Sequence, residues 1–171
     1  PNFHQIWSEF VNFSSNSIST VNINKHSLSE NKSLFYQWLV GFTDGDGSFT
    51  LYSQNNKWSL IFKISQSTYN LRVLHFIKKQ LGAGRIYVEK EGRMANFLIR
   101  DLSTINNIII PIFDRYPLLT SKYLNYQKFK TAASILSNNA YSKLEKDKLL
   151  MELKNTSIPL NYISPAWSVI N

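Results

Sequence analysis

The sequence predicts an α+β domain with one four-stranded antiparallel sheet and helices on its apolar face. Three observations predict it. An apolar stretch at helical spacing, 34–43, runs into Asp44-Gly45-Asp46-Gly47. Two pairs of alternating runs follow, each folded about a turn signal, and helical patterns separate and follow the pairs. Helix, hairpin, helix, hairpin, helices is the order of a sheet covered on one side only.

Residues 1–32 are rich in Ser and Asn without sustained periodicity and are expected to form an N-terminal tail or arm. The chain begins at Pro1 rather than Met, as expected of a processed product or part of a longer reading frame. A domain is expected over 33–155. Its first helix carries Gly41 and Gly45 four residues apart, a stripe without side chains along which another backbone can approach. Residues 48–54 and 58–66 then alternate about Asn55-Asn56-Lys57. Phe49 and Leu51 share a face with Trp58, Leu60, Phe62 and Ile64, and the polar residues take the other.

Leu71, Leu74, Ile77 and Leu81 place an amphipathic helix over 69–81, stopped by Gly82. A second hairpin, 84–90 and 94–101, turns at Glu91-Gly92-Arg93. Residues 102–116 form a helix that kinks or restarts at Pro111. Helices over 122–136 and 143–154 follow, the second a solvated charged one. Residues 156–171, with Pro159 and Pro165, read as a C-terminal extended tail or linker.

Composition narrows the chemistry. The absence of cysteine excludes disulfides, thiolate metal sites and cysteine nucleophiles. The three histidines, His4, His26 and His75, are scattered without ligand spacing, so carboxylates must carry any metal chemistry. Net charge is +8 and the pI is about 9.6, which favours an anionic partner such as nucleic acid. Residues 1–30 hold Lys25 against Glu9 and Glu30, a net −1; the other 18 basic and 9 acidic residues leave +9 on 31–171. No apolar run has the length of a membrane span, so no membrane partner is expected. The wealth of Asn, Ile, Lys, Tyr and Phe is that of an AT-rich, organellar gene.

Asp44-Gly45-Asp46-Gly47 admits two readings. Acids at a helix C-terminus face the unsatisfied carbonyls and the negative end of the dipole, and a divalent cation would reverse that field. Alternatively, the four residues are a helix stop and a tight turn.

The stretch 34–49, with Leu39, Val40, Gly41, Phe42, Thr43, Asp44, Gly45, Asp46 and Gly47 in nine consecutive positions, resembles the motif of the LAGLIDADG homing endonucleases. Val40, Phe42, Thr43 and Gly45 are its departures. Leu81-Gly82-Ala83-Gly84 resembles that family's glycine turn, and 109–122 resembles the segment ending in its active-site lysine. The resemblance covers roughly 33–136 and implies the αββαββα LAGLIDADG fold, whose sheet binds DNA. It implies catalytic roles for Asp46, Gln66 and Lys122, with Asp46 and the Gly45 carbonyl as ligands of Mg²⁺ or Mn²⁺. Asp44, nearer the helix body, is expected to serve structure or capping.

On the sheet's polar face, Thr50, Tyr52, Gln54, Lys57, Ser59, Lys63, Tyr87, Arg93, Asn96 and Arg100 are expected to meet DNA. Long donors and aromatics at strand spacing suit the major groove, although a solvated polar face would look similar. Cutting both strands of a double-stranded target needs two centres. Gly41 and Gly45 would then pack two motif helices in a homodimer carrying +16, twice +8. The homodimer is the simplest reading; the alternative is a two-motif protein of which this chain is the first half, and Ser164-Pro165-Ala166-Trp167 resembles the passage to a second motif. The expected function is a divalent-metal-dependent, site-specific DNA endonuclease promoting intron mobility, in a mitochondrion or chloroplast. Binding of intron RNA, as a maturase, is the rival.

Overall fold

Helix α1 (Lys25–Asp46) passes directly into strand β1 (Gly47–Gln54) with no loop between them. Gly47 permits this, because a Cβ there would lie 2.4 Å from Thr43 Cγ2 and 2.9 Å from the Thr43 carbonyl oxygen. The computed structural model describes residues 25–170, with side chains over 30–168. The N-terminal tail therefore ends earlier than expected: 25–32 belong to α1, and 1–24 lie outside the described residues.

β1 pairs antiparallel with β2 (Lys57–Ser67) from Gly47↔Ile64 to Gln54↔Lys57. Asn55 and Asn56, at φ 51° and 57°, make the two-residue turn, a conformation that short polar side chains tolerate. A 3₁₀ turn (Thr68–Asn70) leads to α2 (Leu71–Leu81), which Gly82 ends in the left-handed conformation at φ 67°. β3 (Arg85–Val88) and β4 (Met94–Ile99) complete the sheet in the order β1-β2-β4-β3. Both are shorter than their alternating patterns: β3 ends early because 89–93 turn back, the Gly92 amide donating to the Glu89 carbonyl, and β4 ends before Asp101, which caps the next helix.

A continuous helical stretch follows, formed by α3 (Leu102–Thr104), a π-helical turn (Ile105–Ile109) and α4 (Ile110–Arg115). The wide turn precedes Pro111, whose missing N–H and ring cannot continue an α ladder, so the expected irregularity takes the form of a π-bulge. α5 (Lys122–Ser137) and α6 (Lys143–Asn155) are joined by a short loop, and α6 starts with a capping box between Ser142 and Glu145.

The core lies against one sheet face. Phe49, Leu60, Phe62, Ile64, Phe97 and Ile99 are buried there under Ile112, Phe113, Tyr126 and Phe129. Phe49 is its centre, with the rings of Phe113, Tyr126 and Phe129 at 5.0, 5.4 and 5.3 Å, all edge-on. The Tyr126 hydroxyl donates to the Asp114 carboxylate at 2.6 Å, and burial together with that contact pushes the phenol far above its ordinary range. α6 is not wholly a solvated helix: Leu150 is buried and Asp147 accepts from Trp58 Nε1 at 2.8 Å, which pins the rim of β2.

The compact unit that begins at Leu34 continues past residue 155, correcting the expected extended tail. Ser164 and Ala166 are buried, and α7 (Trp167–Ile170) closes the described chain. Among the described residues no helix is long and apolar enough to cross a membrane.

Gly84 supplies the fold's tightest steric demand. At φ 96° a Cβ would meet the Phe97 ring at 2.3 Å and the Leu98 carbonyl at 3.1 Å. Gly84→Ala is expected to cost about 1–3 kcal/mol through overpacking and backbone strain, measured by urea denaturation. A loss within error of zero would show that the turn before β3 can move aside.

Candidate active site and nucleic-acid face

The C-terminus of α1 carries two carboxylates and no basic residue in its last turn. The cation comes from elsewhere in the chain. Lys122, the first residue of α5, donates from Nζ to the Gly45 carbonyl at 2.6 Å and to the Thr43 carbonyl at 3.2 Å. An ammonium there satisfies the orphan carbonyls and opposes the negative end of the dipole. The helix does stop at this turn, and the positive charge held at the stop is the Lys122 ammonium.

The two acids have different work. Asp44 accepts from the Leu119 amide (2.7 Å), the Thr120 amide (3.2 Å) and the Thr120 hydroxyl (2.6 Å), binding the segment just before Lys122. Its expected structural role has this form. Asp46 is exposed, and its Oδ2 accepts from Gln66 Nε2 at 2.6 Å. Gln66 is turned this way by Asn70, whose Nδ2 donates to Gln66 Oε1 at 2.9 Å. Asp46, Gln66 and Lys122 are thus brought together.

Asn70 and Thr120 were not legible as site residues. Asn70 stands at the N-cap of α2 yet makes no capping bond with its side chain. An N-cap Asn normally reads as a helix start, so its service to Gln66 appears only in three dimensions. Thr43 is buried with its hydroxyl unpartnered, and its Cγ2 occupies the space that a Cβ at Gly47 would need.

The donors at the helix end, a carboxylate and a carbonyl, are hard oxygens of the type that Mg²⁺, Mn²⁺ and Ca²⁺ prefer. They do not form a closed site, since no cluster of three or more acids and histidines lies among the described residues. The Gly45 carbonyl has a second lone pair, so Lys122 does not prevent it from accepting another cation.

On the polar face, register aligns Ser48 with Lys63, Thr50 with Ile61, Tyr52 with Ser59, Gln54 with Lys57, and Asn96 with both Ser65 and Tyr87. Arg100 follows β4 in the same alternation. Arg85, aligned with Leu98, belongs to this face too and was overlooked, although its spacing from Tyr87 signals it. Arg93 sits in the β3–β4 turn and pairs at the surface with Glu91 at 3.3 Å. Asn96 needs correction: it is 1% exposed, accepting from Ser65 Oγ at 2.6 Å and donating to Glu89 at 3.0 Å. A buried, satisfied amide braces the sheet and has no edge to offer a base.

Gly41 and Gly45 are exposed, and a Cβ at either meets nothing within 4 Å. Their stripe is open along the outer side of α1. Inward, Trp38 and Phe42 stack at 5.0 Å and 17°.

The sequence profile described as LAGLIDADG endonuclease matches residues 39–133. A probable intron-encoded endonuclease, Cox1-I1b, of Schizosaccharomyces pombe is 43% identical over 144 residues, covering 81% of this chain and 37% of that protein. The uncharacterized mitochondrial protein RF1 of Saccharomyces cerevisiae is 33% identical over 142 residues, 78% of this chain and 28% of that one. Among solved structures, the meganuclease I-SmaMI bound to uncleaveable DNA superposes with TM-score 0.65 at 29% identity, covering 70% of this chain and 43% of that chain. The I-LtrWI LAGLIDADG homing endonuclease bound to target DNA gives 0.65 at 27% identity, covering 86% and 48%. This chain spans less than half the length of each of these four. With the profile matched across more than half of its residues, the chain belongs to the LAGLIDADG endonuclease family.

Proposed function

We propose that this chain is a site-specific double-strand DNA homing endonuclease, or one motif-bearing half of one, encoded in a mitochondrial intron. One observation carries the reading: the carboxylate of Asp46 stands exposed at a helix end between Gln66 and Lys122, beside a sheet face bearing Lys57, Lys63, Arg85 and Arg100. The DNA-bound relatives and the mitochondrial protein RF1 support the substrate and the location.

Phosphodiester hydrolysis needs a nucleophilic water, neutralised phosphoryl oxygens and help for the departing 3′ oxygen. A divalent ion, Mg²⁺ or Mn²⁺, would supply these when bound by Asp46 and the Gly45 carbonyl. Lys122 adds a fixed positive charge beside the scissile phosphate, of the kind that stabilises charge developing in a transition state. Gln66, locked between Asn70 and Asp46, keeps that carboxylate in one rotamer. The polar strands would lie in the major groove, with Thr50, Tyr52, Gln54 and Lys63 toward base edges and Lys57, Arg93 and Arg100 able to reach phosphates. Two cuts need two such helix ends, brought together across Gly41 and Gly45 from a second copy or from a second motif in a longer chain.

Cleavage of a duplex carrying the two exon flanks joined at the insertion site, in Mg²⁺ and in EDTA, tests this. Asp46→Asn should abolish cutting while leaving affinity equal or slightly higher, since one negative charge facing phosphate is gone. Cutting by Asp46→Asn at the parent rate would refute the assignment of the metal to this helix end.

Gly41→Leu tests the second centre. Within one chain the new side chain meets open space, and Leu is a better helix former by about 0.8 kcal/mol, so the isolated fold should gain slightly. Against a second motif helix the same group should cost about 1–3 kcal/mol by overpacking. Double-strand cutting should therefore fail in this variant together with association, measured by sedimentation, or together with the fold where the second motif lies in the same chain; an unchanged, active protein would remove the stripe from the interface.

A further inference from the structure

Lys122 is delivered by a segment with no regular structure of its own. Residues 116–121 are neither helix nor strand, and Leu118 is fully buried, so the backbone groups here need partners other than a ladder. At its two ends the segment bonds to the backbone of the neighbouring helices, and its middle, from the Leu118 carbonyl to the Thr120 amide, is held by three side chains. Asp44 takes the amides of Leu119 and Thr120 from the side of the motif helix. From the opposite end of the chain, Ser164 donates from Oγ to the Leu118 carbonyl at 2.6 Å, and Trp167 from Nε1 to the Leu119 carbonyl at 3.0 Å. Ser164 is itself buried, 2% exposed, and its Oγ also accepts from the Ala166 amide at 3.3 Å, which holds the local turn.

The two carbonyls taken by the C-terminal segment belong to the same two peptide groups whose amides Asp44 takes, so each peptide plane is held from both edges. Thr120 then passes the constraint on: its hydroxyl, already bound to Asp44, accepts from the Lys122 amide at 3.2 Å. Free of the clamp, 117–121 would carry Lys122 through several backbone conformations, and its ammonium would reach the Gly45 carbonyl in only some of them.

We propose that Ser164 and Trp167 are positioning residues for Lys122: by holding the Leu118 and Leu119 carbonyls against the pull of Asp44, they place the ammonium on the Gly45 carbonyl beside Asp46. The C-terminal segment is therefore part of the active-site support rather than a spacer. This rests on the reading of Lys122 as an active-site group, and the test separates the two.

The clamp is read without DNA by the rate at which acetic anhydride acetylates Lys122 in the full chain, followed by peptide mass spectrometry. Exposed Lys57 is the reference. Trp167→Phe keeps an aromatic ring while removing the indole N–H and the five-membered ring that carries it; Ser164→Ala removes the other donor. Each should raise Lys122 reactivity about two- to ten-fold, the range expected for losing one net hydrogen bond. Lys57 reactivity should stay as in the parent, and the melting temperature should fall by no more than the few degrees that one buried hydrogen bond is worth. Unchanged Lys122 reactivity in both variants overturns the proposal, as does an equal rise at Lys57, which would mean general loosening. With the joined-exon duplex, both variants should cut more slowly at unchanged affinity, and neither should slow a Lys122→Met chain further. An equal slowing in that background also overturns the proposal. If Lys122→Met alone cuts at the parent rate, the reading of Lys122 fails while the reactivity result still decides the clamp.

Discussion

The molecule depends on how the C-terminus of its first helix is neutralised. Within four residues α1 exposes the carbonyls of Thr43 and Gly45, the carboxylates of Asp44 and Asp46 and the negative end of its own dipole, with no basic residue in its last turn. Each such charge at an exposed helix end is worth about 0.3–1 kcal/mol with the wrong sign. The sequence meets this demand from 77 residues away, by the ammonium of Lys122. Asp44 ties down the backbone that carries that ammonium, so the acid nearest the problem also secures its solution. Asp46 is left as the exposed carboxylate.

The sheet extends the same logic outward. Gly47 lets the chain leave the helix end without a loop, so β1 starts at the site and the polar alternation begins beside it with Ser48 and Thr50. Because β1 pairs with β2 and β2 with β4, a single register decides which side chains are buried beneath α4 and α5 and which face outward. A shift of one residue would exchange Phe49, Phe62 and Phe97 for Thr50, Lys63 and Asn96. The edge-on ring cluster about Phe49 opposes that shift, and thus fixes the basic face as firmly as the core.

Much of this was legible. Asn55-Asn56, Leu81-Gly82-Ala83-Gly84 and the alternation of β1 and β2 are local signals in which turn chemistry and pattern agree, and the folded chain follows them. Asp46, Gln66 and Lys122 were legible through family resemblance, and their convergence is geometric. What escaped is what depends on distant partners. Asn96 alternates like a surface residue, and only the paths of Ser65 and Glu89 bury it. Asn70 reads as a helix cap until Gln66 claims its side chain. The C-terminal prolines suggest an extended tail, since nothing in 156–171 announces that two carbonyls at 118 and 119 need donors. The start of α1 escaped for a different reason: its first turns are polar and lack an apolar stripe to mark them.

The central claim is that the end of α1, held by Lys122 and Asp44, is where a divalent cation meets the DNA backbone. Fe²⁺ substituted at that position in the DNA complex, with ascorbate and peroxide, generates short-range radicals that cut the nearest polypeptide. Scission is expected near residues 44–47 and 120–122, and its loss in Asp46→Asn. Scission at other elements, or scission at this one that persists without the Asp46 carboxylate, would contradict it.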